Sequence, residues 1–376
     1  MKARGVRLEY SFQQTGQDSG QQGADVHNPL FDLLQAVHLH GSIQHAARAL
    51  GSSYRHVWGS LKRWEGELGE PLVSWSQGQP ARLTPFADRL LWAETQARAR
   101  LVPHIEALRA ELQRVLQEAL DGRQQVLSLH ASHDLALPLL RQRAARTHKL
   151  HMELHFAGSM DALRALAEGR CAVAGFHVPP LADSRNPFAR GLKPLLKPGR
   201  HKLIGCMKRC HGLIVPAGNP AGVASLADAA GARYVNRQGG SGTRLLAEHL
   251  LLQQGLAVPP GFDDRVEDSH LAVAAAVAGG AGDLGLGVEA AARHYGLGFV
   301  PLVDEHYFLV CLKDVLDHPA VLRLRELLSG ADWPALLATL PGYAPDRPGE
   351  VLSLTRALPW WNYRSPRPGA GSAPPP

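Results

Sequence analysis

The sequence predicts an α/β fold with an all-α-rich N-terminus, on three observations. Up to about residue 122 the apolar residues recur with helical spacing. Beyond it, short β-like runs alternate with alanine- and leucine-rich helices, the mark of an α/β domain with a mostly parallel sheet. The 376 residues, 45% hydrophobic and 20% charged, suffice for two to three domains with ordinary cores.

Composition narrows the setting. Residues 1–27 are rich in Gln, Gly and Asp and read as a flexible arm, with a short strand expected at Val6–Tyr10; residues 365–376, rich in Pro, Gly and Ser, read as a disordered tail. The N-terminus lacks a signal-peptide core. The most apolar stretch, Leu271–Gly282, is glycine-interrupted and too short to span a bilayer, so a cytoplasmic protein with no membrane partner is expected. Four cysteines do not make a disulfide framework. A net charge of +6 permits nucleic acid as a partner without requiring it.

Leu30, Leu33, Leu34 and Val37 form one apolar helical stripe that Gly41 ends. Ser42 can cap a second short helix, Gly51 can make a left-handed turn, and Ser52 or Ser53 can cap a third helix through Tyr54, Val57, Trp58, Leu61 and Trp64. Ala46, Ala47 and Leu50 then face Val57 and Leu61, which makes a helix-turn-helix. From Gly41 to Trp64 the charged residues are Arg48, Arg55, Lys62 and Arg63, with no acid; a solvated face on a small helical core is the plainer alternative. Leu72–Trp75 and Arg82-Leu83-Thr84 fit a β-hairpin wing around a polar turn.

The segments GSIQHAARALGSSYRHVWGSLKRWEGELGEPLV and ARLTPFADRLL resemble the winged helix-turn-helix of LysR-type and, more closely, molybdate-responsive regulators, over about residues 28–120. The resemblance implies double-stranded DNA as a partner. Ser53, Tyr54, Arg55 and His56 would enter the major groove, and Lys62, Arg63 and Arg82 would hold phosphates. Trp58 is read as core.

The winged helix-turn-helix is assigned to residues 28–85 and a linker or dimerisation helix to 86–121. In the linker Leu101, Ile105, Leu108, Leu112, Val115 and Ala119 are spaced 4-3-4-3-4, a coiled-coil seam that Pro103 should kink or divide. A homodimer is expected, with a tetramer open; packing on the chain's own C-terminal domain is the alternative.

In the α/β part, strand-like runs repeatedly end in a small hydroxyl residue at a helix start: Ser132-His133-Asp134, Gly158-Ser159, Arg237 through Ser241-Gly242-Thr243, and Glu267-Asp268-Ser269-His270. Such ends present free N–H groups and a positive dipole, which favours an anion in a shared cleft. Arg237 can add a bidentate contact or be salt-bridged to Glu267 or Asp268.

ASHDLALPLL, GLIVPAGNP, YVNRQGGSGTRLLAEHLL, AGDLGLGVEAAARHYGLGFVPL and LPGYAPDRPGEVLSL resemble the type II periplasmic-binding-protein-like domain of molybdenum-cofactor-related proteins and regulators, and RQGGSGTR is similar to the anion loop of tungstate-binding proteins. The resemblance implies a two-lobed effector-binding domain over 125–356, with lobe I at 125–208 and 305–356 and lobe II at 209–304. Ser132, Ser159, Arg237, Ser241, Gly242 and Thr243 would hold an oxyanion, with Ser269 at the fourth helix end and Tyr307 closing over the ligand.

Other motifs lack their context. Gly280–Gly285 matches GxGxxG but follows an alanine-rich helix rather than a strand. Gly239–Thr243 has no Walker lysine. Cys206, Cys210 and His211 lie on a probable strand with no second cysteine pair, and His151, Glu153 and His155 fit a solvated strand face. No catalytic constellation, metal or cofactor is expected. The sequence points to a one-component transcriptional regulator that senses molybdate or tungstate and controls molybdoenzyme genes such as those of formate dehydrogenase. A LysR-type sensor of a small organic anion such as formate, or an enzyme or storage protein of molybdenum metabolism, are the alternatives.

Overall fold

The computed structural model of the chain describes residues 28–74, 81–120, 125–259 and 262–361; the arm, its expected strand at Val6–Tyr10 and the 365–376 tail lie outside the described residues. Helix α1 spans Pro29–His40. Asn28 accepts the Leu30 N–H at 3.0 Å, proline fills the first helical position, and Gly41 closes the helix in the left-handed region. The stripe Leu30, Leu33, Leu34 and Val37 is buried. Helices α2 (Ile43–Ala49) and α3 (Tyr54–Leu68) are capped by Ser42 and Ser53. Gly51, at φ 61°, reverses the chain between them, so that Ala46 and Ala47 are buried with Val57 and Leu61. Strands β1 (Val73–Ser74) and β2 (Arg82–Leu83) pair antiparallel as the wing; Trp75 and the wing tip lie outside the described residues.

The linker is a single α-helix, α4, from Pro85 to Leu120 (36 residues), about 54 Å long. Pro103 does not divide the helix. A proline removes only its own rung of the hydrogen-bond ladder, and this long helix is anchored just upstream, where Ala99 packs on Ala272 and Ala275 of the effector half.

The effector half alternates strand and helix: β3 (Gln125–Ala131), α5 (Ala136–Thr147), β4 (Leu150–Phe156), α6 (Ser159–Ala167), β5 (Val173–Val178), α7 (Pro187–Leu192) and β6 (His201–Val215). It continues with β7 (Tyr234–Arg237), α8 (Gly242–Gln253), β8 (Val266–Glu267), α9 (His270–Ala278), β9 (Leu284–Val288), α10 (Glu289–His294) and β10 (Gly298–Leu312). Helices α11 (Pro319–Ser329) and α12 (Asp332–Leu337), strands β11 (Tyr343–Pro345) and β12 (Val351–Leu352), and α13 (Leu354–Ala357) follow. The strands form one sheet in the order β4-β3-β5-β10-β6-β9-β7-β8, with β11 and β12 also on β6.

The expectation of a mostly parallel sheet is corrected to a mixed one. Pairing is parallel inside two blocks, β4-β3-β5 and β9-β7-β8. Between them β6 and β10 run antiparallel along their whole lengths, because a chain that crosses from one block to the other must also return. We refer to each block with its helices as a lobe and to β6 and β10, which run between the two blocks, as the spine. Helices cover both faces. Leu137, Val273, Leu324 and Trp333 belong to the core under α5, α9, α11 and α12, and Leu163, Phe188, Leu246 and Trp360 to the core on the opposite face.

The solvated face expected for His151, Glu153 and His155 holds only at His155. His151 is buried, since α4 runs alongside the edge strand β4. No helix among the described residues is long and apolar enough to cross a membrane.

Candidate functional site

Two surfaces are built by this frame. The first is the start of α3. Ser53 accepts the His56 N–H at 3.2 Å, fixing the first turn, and Tyr54, Arg55 and His56 project outward. Tyr54 is 53% exposed and stacks on the half-buried Trp58, with ring centroids 6.5 Å apart and planes 5° from parallel. Arg55 and, on the wing, Arg82 are exposed, with no ion-pair partner among the described residues. Lys62 and Arg63 differ: Lys62 Nζ lies 2.7 Å from Glu65 and Arg63 lies 4.0 Å from Glu67. The acid-free run ends one residue too early to reveal these pairs. Glu65 also accepts the Leu72 and Val73 N–H groups at 2.9 and 3.4 Å, tying α3 to the base of the wing.

The second surface lies where the starts of α6 and α8 approach each other. A Cβ on Gly158 would lie 3.2 Å from the Gly240 carbonyl, and one on Gly242 would lie 2.3 Å from His177 Nε2. At Gly242 only glycine allows that approach. Ser241 caps α8 by accepting the Arg244 N–H, and Thr243 Oγ1 lies 3.3 Å from His211 Nε2. Ser159, at the first position of α6, is buried, and its hydroxyl has no partner.

Arg237 is the buried cation of this site. Its guanidinium donates to the main-chain carbonyls of Glu267 and Asp268 at 3.2 and 2.8 Å and to the Gln238 side chain at 3.1 Å. No carboxylate among the described residues pairs with it, so the salt bridge to Glu267 or Asp268 is not formed. Burial, and then the nearby Arg209, lower its pKa to about 10.

Three of the expected ligand positions are otherwise engaged. Ser132 does not cap α5; Asp134 does, accepting the Ala136 N–H at 2.7 Å, while Ser132 Oγ lies 3.0 Å from His177 Nδ1. Ser269 turns away from the cleft: it caps α9 by accepting the Ala272 N–H and donates to the Ala99 carbonyl on the linker helix. Tyr307 is no lid. It is wholly buried in the spine and donates to the Ser132 carbonyl at 3.2 Å, so it braces the strand end. The four helix ends therefore reduce to two facing ones, α6 and α8, with a carboxylate already at α5 and the linker at α9.

Sequence reasoning missed the polar wall of this site. Arg209 is wholly buried and donates to Asp134 at 2.6 Å and to Glu305 at 3.2 Å; Tyr343 also donates to Asp134. Burial alone would raise Glu305, but the Arg209 guanidinium and a hydrogen bond from His211 Nδ1 outweigh it and hold the carboxyl ionised. His133 and His177 are pushed down to about 3, and His211 and His270 are lowered, first by burial and then by Arg209 or Arg237. The available signal was charge inside apolar strands, Arg209 with His211 and Glu305 with Tyr307, each two apart and so on one strand face. Among the described residues no group of three or more His, Cys, Asp or Glu is placed to hold a metal ion, and all four cysteines are free.

Residues 140–329 match the family described as PBP superfamily domain. The chain belongs to the PBP superfamily. Residues 30–88 match the bacterial regulatory helix-turn-helix protein, lysR family. Together these give the chain a DNA-binding helix-turn-helix of the lysR family joined to a PBP-superfamily effector-binding domain, the make-up of a transcriptional regulator and not of an enzyme. This regulator is 30% identical to the Bacillus subtilis (strain 168) protein YvgK over 236 residues, 62% of its own chain and 75% of that protein. It is 33% identical over 113 residues to a Clostridium pasteurianum protein encoded in a ferredoxin 2Fe-2S gene 5' region, covering 29% of its own chain and 97% of that one. The Corynebacterium glutamicum OxyR C206 mutant aligns over 83% of the regulator and 96% of that chain at 16% identity and TM-score 0.40, a likeness that carries no argument of its own.

Proposed function

We propose that this regulator is a one-component transcription factor of the cytoplasm that binds operator DNA as a homodimer and senses a small tetrahedral oxyanion, molybdate or tungstate, between its lobes. The observation that carries the oxyanion reading is Arg237, a cation with 5% exposure and no carboxylate partner among the described residues. It lies at the end of β7, five residues before α8 begins, and the same loop approaches α6 at Gly158, next to the unpartnered Ser159 hydroxyl. A buried guanidinium with no carboxylate in direct contact keeps its charge-assisted hydrogen bonding for a ligand, and a bound anion could take that contact. Backbone N–H groups at Gly242 and Thr243 and the hydroxyls of Ser159, Ser241 and Thr243 add donors suited to a compact anion. Ser132 acts behind this layer, through His177.

The homodimer is supported by the linker seam. Leu101, Leu108 and Leu112 are 37%, 48% and 51% exposed on one stripe of α4, while the side chains of Val115 and Ala119 lie outside the described residues. Dimerisation would present two α3 helices to a roughly palindromic operator. Genes of molybdoenzymes or of their cofactor, such as formate dehydrogenase, are proposed as targets on the resemblance of RQGGSGTR to tungstate-binding loops.

The test is thermal unfolding with molybdate, tungstate, sulfate or formate at millimolar concentration. Molybdate and tungstate should raise the midpoint, since ligand at a hundredfold excess over Kd adds about 2.7 kcal/mol. Arg237→Ala should abolish the rise. A rise with formate alone would favour the organic-anion sensor, and no rise with any of the four would end the oxyanion reading.

A further inference from the structure

Two imidazoles, His177 and His211, stand at the start of α8, and a third, His270, lies against His211. His177 Nε2 lies against Gly242 at the start of α8 and has no partner. His211 lies 2.6 Å from Glu305 through Nδ1 and 3.3 Å from Thr243 through Nε2. His270, at the first turn of α9, is 5.2 Å from His211 between ring centroids, and its Nδ1 has no partner. All three are at most 4% exposed. They come from β5, β6 and α9, so both lobes and the spine contribute.

The buried charges around them already balance. Arg209 and Arg237 carry two positive charges, and Asp134 and Glu305 carry two negative ones. Glu267 is neutralised from outside by Arg100 of α4. Facing the cluster as well are His133, Tyr307 and Tyr343, and Asp268, whose carboxyl burial raises in pKa. A dianion entering this wall would leave two negative charges unbalanced in a dry setting.

We infer that the regulator binds its oxyanion together with protons, taken up by His177, His211 and His270. This rests on the oxyanion reading of the same cleft. In the free protein the imidazoles are neutral, held so by burial and by the two arginines. An anion that offsets those arginines removes that bias, and protonation turns acceptor nitrogens into donors. Proton-linked binding also discriminates by charge, because a monoanion such as formate calls for less compensation than molybdate.

Isothermal titration of the full chain with molybdate at pH 7.5, in Tris and in HEPES, reads the protons directly. These buffers differ in ionisation enthalpy, so uptake appears as a buffer-dependent heat. The expected result is roughly one proton or more per molybdate, with Kd tightening about tenfold per pH unit for each proton as pH falls from 8.5 to 6.5. His177→Gln and His270→Gln should weaken binding and flatten that profile. Equal heats in both buffers with a pH-independent Kd would overturn proton uptake while leaving the oxyanion reading intact. Absence of heat with molybdate, tungstate, sulfate and formate alike would overturn both.

Discussion

Arg100 on the linker helix holds both carboxylate oxygens of Glu267 at 2.7 Å, and the main-chain carbonyl of that same Glu267 accepts from Arg237 in the cleft. One residue is thus gripped from the DNA-binding half and from the effector half. The next two residues repeat the contact: Asp268 lies 4.0 Å from His104, and Ser269 donates to the Ala99 carbonyl.

Arg100→Ala should therefore separate sensing from response. It removes two charge-assisted hydrogen bonds and leaves Glu267 buried without its partner, costing about 1–3 kcal/mol of stability. Anion affinity should change by less than about threefold, since Arg100 lies outside the cleft, while the effect of anion on operator affinity should shrink toward none. Fluorescence anisotropy on labelled operator, with and without molybdate, measures both; an undiminished response would remove Arg100 from the route.

Gly242→Ala should force the lobes apart. Its methyl would lie 2.3 Å from His177 Nε2, far inside van der Waals contact, and neither the start of α8 nor the buried imidazole can give way without moving a lobe. A loss of about 1–3 kcal/mol in urea denaturation is expected, with a smaller thermal shift from molybdate. Wild-type stability would place Gly242 away from a closed contact.

Acid should destabilise the effector half below pH 6.5. His133 and His177 titrate near 3 in the folded state and near 6.5 when unfolded, so the unfolded chain binds more protons across that interval. Stability is complete above the unfolded pKa and is lost as pH falls toward the folded one, with each histidine adding a slope of up to about 1.4 kcal/mol per pH unit. Urea midpoints at pH 7.5, 6.5 and 5.5 should decline in that order, and less steeply in His177→Gln.

On the DNA-binding face, Arg55 and Lys62 should behave differently. Arg55→Ala should cost about 1–3 kcal/mol on operator and relax sequence preference. Lys62→Ala should weaken all DNA equally and reduce the salt slope by less than a full charge, since its ammonium already lies 2.7 Å from Glu65. Glu65→Ala should also weaken operator binding although it removes a negative charge, because Glu65 holds the Leu72 and Val73 N–H groups of the wing. Salt-dependent titrations of the three variants distinguish these outcomes.

The helix-turn-helix was legible because its signals are local. Asn28, Ser42, Ser53, Gly41 and Gly51 act within a few residues of where they stand, and the apolar stripe fixes the rest. The cleft was legible only at its helix caps. Its wall depends on register: Glu305 faces Arg209 because β10 and β6 pair there, and Asp134 reaches Arg209 and Tyr343 from 75 and 209 residues away. No periodicity within one segment carries such a partner. That α4 continues through Pro103 was not legible for a related reason, since its anchor on α9 is a tertiary contact.

The continuous spine has a consequence for how the effector half comes apart. Leu129 of one lobe and Val273 of the other share a core cluster, as do Leu163 and Leu246 on the opposite face. Neither lobe owns a complete interior, and among the described residues one sheet runs through both. The two lobes therefore melt as one cooperative body, and damage to either is felt by both.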